Sequence, residues 1–176
     1  MKYQIYLSSN IAPEYANIIK QHAEFVMEPV VAPNLCRGLK RERVSQSIAS
    51  ADAVISAINE TNNCVGFATL KMDTITQTMT IDVICAEKGV GSHLMNTIEL
   101  IAKDASFAEI KLESVTDAVG FYLKNGFSCD KLCKMKKIIG AQYYGGLRSK
   151  KSARCKNKIK NKRNKTKRLK LRCNTK

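Results

Sequence analysis

The sequence predicts an α+β fold with a mixed, mostly antiparallel central sheet flanked by helices. Three observations carry this reading. Between residues 52 and 85, three short strand-like segments follow one another across turn chemistry at Thr61-Asn62-Asn63 and at residues 74–78, as antiparallel hairpins do. From residue 79 to residue 115 the pattern changes to strand, glycine turn, long amphipathic helix and strand, an order that asks for a parallel neighbour. The last 29 residues hold Lys and Arg but no acid, and so stand outside any packed core.

Taken in order, residues 2–8 (KYQIYLS) alternate polar and apolar and predict a half-buried strand. Asn10 and Pro13 open a predicted helix over 13–27, with Ile18, Ile19, Ala23 and Val26 on one side. Pro29 and Pro33 break the chain, and residues 39–50 form a second, more polar helix. Strands follow at 52–58, 64–71 and 79–85. A helix over Ser92–Ala105 places Leu94, Ile98 and Ile101 on one stripe. Residues 108–115 alternate again as a strand. Asp117 is positioned to cap a short helix over 118–124, which Asn125-Gly126 stops. A last strand is expected at 129–139, before Gly140 and Gly145-Gly146.

The formal charge of +15 is unevenly placed. Residues 1–147 contain all 15 acids and an equal number of Lys and Arg; residues 148–176 carry the other 15 cations. The expected organisation is one domain over 1–147 and a disordered basic tail over 148–176. The tail lacks aromatics, so base stacking is not its mode, whereas neutralising the phosphates of a nucleic acid or another polyanion is. Residues 165–170 also suit a nuclear import signal, and a solvated tail that only aids solubility is the plain alternative. No apolar run reaches the ~18 residues of a membrane span, and the N-terminus lacks a signal peptide's apolar block. Cys36, Cys64, Cys85, Cys129, Cys133, Cys155 and Cys173 are odd in number and irregularly spaced, with only His22 and His93 beside them. This pattern predicts reduced thiols rather than a disulfide scaffold or a zinc site, and an intracellular protein, cytoplasmic or nuclear.

The chemistry concentrates between Thr78 and Phe127. A strand feeding Gly89-Val90-Gly91 at the start of a helix offers backbone N–H groups to an anion. A dinucleotide fold would want a third glycine where Leu94 stands, and a P-loop would want Gly-Lys-Ser/Thr where the sequence reads Gly91-Ser92-His93. A nucleotide-binding module therefore rests on Gly-x-Gly alone. The whole run is more specific: glycine turn, helix, strand, and then Phe121-Tyr122-Leu123-Lys124-Asn125-Gly126-Phe127 resembles the GNAT superfamily of acyl-CoA-dependent N-acetyltransferases. The resemblance is strongest over 80–127. It departs at Ala86, where the family usually has Arg or Gln, and Lys88 is the available replacement.

The resemblance implies acetyl-CoA as co-substrate. The backbone of Val83, Ile84 and Cys85 would pair with its pantetheine arm, and the amides of Lys88, Gly89, Val90, Gly91 and Ser92 would hold its pyrophosphate. It further implies direct attack by an amine of a protein or small molecule, with backbone amides polarising the carbonyl and Tyr122 protonating the leaving thiolate. Asp82 is the first candidate for general base; facing solvent or pairing with a lysine is its alternative. Glu87, Glu60 and Glu113 are weaker candidates, His93 reads as a surface residue and Cys85 as packing. An acyl-CoA-binding protein with weak or absent catalysis, tethered to nucleic acid by its tail, is the competing function.

Overall fold

The structure, a computed structural model, describes residues 1–131 and 134–139. The basic tail at 148–176 therefore lies outside the described residues. Among the described residues the chain divides into two compact units, 1–112 with 138–139, and 113–131 with 134–137.

The first unit opens with strand β1 (Lys2–Leu7) and helix α1 (Pro13–Ile19), whose Pro13 occupies the first helical turn where no amide partner is needed. Strand β2 (Glu24–Phe25), a 3-10 turn (Pro33–Leu35) and helix α2 (Arg41–Ala49) follow. Strands β3 (Ala53–Ile58), β4 (Cys64–Asp73) and β5 (Thr78–Ala86) lead into helix α3 (Val90–Asp104) and strand β6 (Glu109–Glu113). The strand order is β2-β1-β3-β4-β5-β6. The β1/β3, β3/β4 and β4/β5 pairs are antiparallel, and β1/β2 and β5/β6 are parallel.

Helices cover both faces of this sheet, which is why β3 (AVISAI) is buried at every position and lacks the polar-out alternation of a one-sided sheet. On one face Val44 of α2 packs with Val54, Phe67, Val83, Cys85 and Cys36. On the other, α3 buries Leu94, Met95, Ile98 and Ile101 completely. Gly66 sets how closely α3 approaches: a Cβ there would lie 2.8 Å from Leu94, 3.0 Å from Ala86 and 3.1 Å from Val90.

In the second unit a 3-10 turn (Thr116–Ala118) runs into helix α4 (Val119–Lys124), and β7 (Ser128–Lys131) pairs antiparallel with β8 (Lys134–Ile138). The helix stops as the sequence predicts, with Asn125 at the C-cap and Gly126 left-handed at φ 83°.

Four expectations are corrected. Helix α1 ends at Ile19 rather than residue 27, because the chain leaves it to lie beside β1, with Val26 N–H donating to the Ile5 carbonyl at 2.9 Å. An open strand edge supplied backbone partners that the helical periodicity of residues 18–26 could not foretell. Helix α3 begins two residues early, at Val90, with Gly89 itself as N-cap. Asp117 sits inside the 3-10 turn and does not cap α4, whose N-cap is Ala118. The single strand expected over 129–139 is a hairpin.

Candidate functional site

Strand β5 changes its surroundings halfway. Residues Thr78–Ile81 pair with β4 on one side and with Glu109–Leu112 of β6 on the other. Beyond the Ile81–Leu112 pair β6 contributes nothing, while β5 runs on to Ala86 with β4 alone. The upper half of β5 thus presents an edge that no strand among the described residues covers.

A β-bulge marks the change. Leu70 pairs with Ile81 and Thr69 with Val83, so Asp82 is the extra residue. The bulge turns two consecutive side chains to the same face: Asp82 meets α2, and Val83 packs with Val44 of α2. Val83 N–H donates to Thr69 Oγ1 on β4 at 3.0 Å. Glu87 N–H donates to the Val65 carbonyl at 2.9 Å, also on β4. Backbone groups alternate sides along a strand, so residues 83, 85 and 87 face β4, and Ile84 and Ala86 face the uncovered edge. Of the three positions expected to meet a pantetheine arm, Ile84 faces that edge. Ala86 joins it, a position that the sequence marked only as lacking the family's usual Arg or Gln.

The bulge is held from α2. Arg43 and Ser47, four residues apart and hence on one helix face, both reach the Asp82 carboxylate. Arg43 Nη1 lies 3.2 Å from Oδ2 while Nη2 meets Oδ1, and Ser47 Oγ donates to Oδ2 at 2.6 Å. Ser47 and Thr69, both fully buried, share a 2.7 Å hydrogen bond. Burial alone would raise the Asp82 carboxyl, but the hydrogen bonds from Arg43 and Ser47, with the charges of Arg43 and Lys71, outweigh it and hold the group below the usual carboxylate value. Asp82 is paired, as its alternative expected, but with Arg43 where a lysine was expected.

A covalent link lies three residues further on. Cys85 Sγ is bonded to Cys36 in the loop that precedes α2, with 5.0 Å between the Cα atoms. This corrects the expectation of reduced thiols. The two cysteines are 49 residues apart in sequence, a separation that carries no pairing signal, and only the fold brings them together. The Cys85 side chain remains part of the packed cluster, as expected, but as half of a disulfide. Arg43, Ser47, Thr69 and Cys36 were all missed by sequence reasoning; the four-residue spacing of Arg43 and Ser47 on a polar helix was the one available hint.

At the glycine turn, Gly89 adopts φ 92°, a conformation that a side chain would strain, and caps α3. Val90 N–H is already donated to the Glu87 carbonyl at 3.1 Å, which removes it from the set available to an anion. Gly91 and Ser92 lie in the first turn of α3, where amides have no intrahelical acceptor. Lys88, Glu87 and His93 are exposed, as are Glu60 and Glu113. Among the described residues no cluster of three His, Cys, Asp or Glu is placed to hold a metal, and no helix is long and apolar enough to cross a membrane.

In the second unit Tyr122 is 7% exposed, edge-on to Phe121 at 5.0 Å and to Phe127 at 5.8 Å. Burial pushes its phenol up to about 12, so it keeps its proton at neutral pH.

Comparison with known proteins bears on this arrangement. A model of the acetyltransferase (GNAT) domain matches residues 34–142, more than half of the chain. A structure of Tetrahymena GCN5 is similar with a TM-score of 0.58 at 11% identity, covering 79% of this chain and 96% of that one. The catalytic domain of Tetrahymena GCN5 histone acetyltransferase in complex with coenzyme A gives 0.54 at 12% identity, with 82% and 96% covered. Ard1 from Thermoplasma volcanium gives 0.50 at 16%, with 79% and 99% covered. At such identities the structural likeness speaks for the fold alone. Among curated protein sequences none matches.

Proposed function

The chain belongs to the GNAT acetyltransferase family, and from that premise we propose that it transfers an acetyl group from acetyl-CoA to an amine of a protein or small molecule. The observation that carries this reading is the parting of β5 from β6 after Ile81, on a strand that continues into Gly89 and the start of α3. An uncovered strand edge suits the amide-bearing pantetheine arm, which can pair with Ile84 and Ala86 as another strand would. The residues at the turn fit a pyrophosphate: Gly89, Gly91 and Ser92 offer amides at the positive end of a 15-residue helix, and Lys88 adds a cation.

Acetyl-CoA supplies an activated acyl group that a neutral amine attacks directly. The protein's share is then to align the two and to manage protons. Tyr122, whose phenol stays protonated, is the proposed acid for the leaving thiolate. Asp82, the base candidate from the sequence, stays ionised at neutral pH, but Arg43 and Ser47 oppose its protonation. This pairing favours Asp82 as a fixed charge joining α2 to β5 over Asp82 as proton acceptor. The 15 cations of residues 148–176 suit a polyanion that would bring the enzyme near its acceptor.

The test is acetyl transfer to an amine and peptide panel, with coenzyme A binding measured in parallel. Tyr122→Phe should slow transfer on the order of 10²–10⁴-fold while leaving coenzyme A affinity nearly intact. Gly89→Asp should weaken coenzyme A binding through backbone strain and charge repulsion. Unchanged binding in Gly89→Asp would remove the pyrophosphate assignment, and a wild type that binds acetyl-CoA but acetylates nothing would favour the tethering alternative.

A further inference from the structure

The hydroxyls of Thr69 and Ser47 form a chain with a fixed direction. Ser47 has one hydrogen, and it goes to the Asp82 carboxylate, which can only accept. The Thr69 hydroxyl also lies 3.5 Å from the Val83 carbonyl, but the 2.7 Å contact to Ser47 is much the shorter, so Thr69 donates to Ser47 and accepts Val83 N–H on a lone pair. The order is Val83 N–H to Thr69, Thr69 to Ser47, Ser47 to Asp82, with Arg43 closing the far end. The bulge separates the Val83 amide from a regular ladder bond, and a side chain takes it instead. The next amide along, Ile84 N–H, faces the uncovered edge only because that of Val83 is held toward β4.

We propose that Thr69, oriented by Ser47, is a positioning residue for acetyl transfer: it fixes the β5 bulge and so aims Ile84 N–H at the thioester carbonyl oxygen. The assignment rests on the acetyltransferase reading above. An amide that polarises a developing oxyanion works only at hydrogen-bond distance from where the charge appears. A small rotation of the 82–84 peptides would misplace it without unfolding the sheet. The clamp also explains the charge pair. Arg43 keeps Asp82 ionised, and an ionised Asp82 is a pure acceptor, which sets the direction of both hydroxyls.

The experiment compares Thr69→Val, which keeps the shape and loses the hydroxyl, with Thr69→Ser, which keeps the hydroxyl. Readouts are kcat, the KM for acetyl-CoA, and calorimetric affinities for acetyl-CoA and for coenzyme A, with circular dichroism as a folding check. Thr69→Val should lower kcat on the order of 10- to 100-fold, the scale of a reacting group misplaced by about an ångström, with coenzyme A affinity within about twofold; Thr69→Ser should restore most of the rate. Ser47→Ala should show the same pattern more weakly, and it carries the test if Thr69→Val does not fold. Unchanged kcat, or equal losses in Thr69→Val and Thr69→Ser, would overturn the proposal. If the wild type transfers nothing, the acetyltransferase reading fails first. The clamp is then judged by whether Thr69→Val erases the preference for acetyl-CoA over coenzyme A, and an unaltered ratio would sink it independently.

Discussion

The two halves of β5 are one continuous strand under two regimes of support. Residues Thr78–Ile81 are held by hydrogen-bonded neighbours on both sides. Residues Asp82–Ala86 have lost one neighbour, and within four residues they gain an ion pair to Arg43, a hydroxyl clamp through Thr69 and Ser47, and a disulfide to Cys36. The lower half gets its rigidity from the ladder. The upper half keeps β4 on one side and adds side-chain links on one face, which leaves its other backbone edge available. A strand cannot both pair with β6 and offer that edge to a ligand, so what β6 would have added at Ile84 has to come from perpendicular to the sheet.

The largest test of this contrast removes the covalent cross-link. Closing a loop with a sequence separation of 49 is worth roughly 4 kcal/mol in the chain-entropy model, so the double variant Cys36→Ser, Cys85→Ser should lose about that much in urea unfolding against the oxidised wild type. Amide exchange should quicken at residues 82–86 and stay nearly constant at 78–81. Equal acceleration in both halves would mean that the strand is a single unit and the contrast is false. Next in size, Ile81→Val in the doubly paired half should cost about 1 kcal/mol and leave coenzyme A affinity unchanged. A shift in affinity there would show that the halves are mechanically coupled.

The smallest expected effect sharpens the comparison through pH. The Asp82 carboxyl titrates below its unfolded value, so its contribution is complete above about pH 4 and is lost as pH falls through the lower folded value. Wild-type stability should therefore decline on acidification more steeply than that of Asp82→Asn. Parallel curves would show that the Arg43 pair contributes nothing.

The sequence made the lower half legible and the upper half only partly so. Residues 78–83 alternate polar and apolar, and Thr61-Asn62-Asn63 announces the preceding hairpin, so these strands could be read directly. The bulge could not. The alternation breaks at Val83-Ile84-Cys85, but an apolar run is also what a strand covered on both faces shows, so the break does not announce an inserted residue. The disulfide and the Thr69–Ser47 contact join residues 49 and 22 positions apart, and no local pattern encodes such distances. Gly89 was legible because a left-handed N-cap demands a residue type, whereas Arg43 and Ser47 answered to a partner that sequence alone does not locate.

Gly66 has an evolutionary consequence. Its missing side chain leaves a hollow that Ala86, Val90 and Leu94 fill to within 2.8–3.1 Å. These four positions share one small volume, so no single one can vary freely. In an alignment of relatives, side-chain size at 66 should be anticorrelated with size at 86, 90 and 94. A lineage that enlarges residue 66 should show a compensating reduction at one of the others, or a helix that starts farther from the sheet and carries the Gly89 turn outward with it.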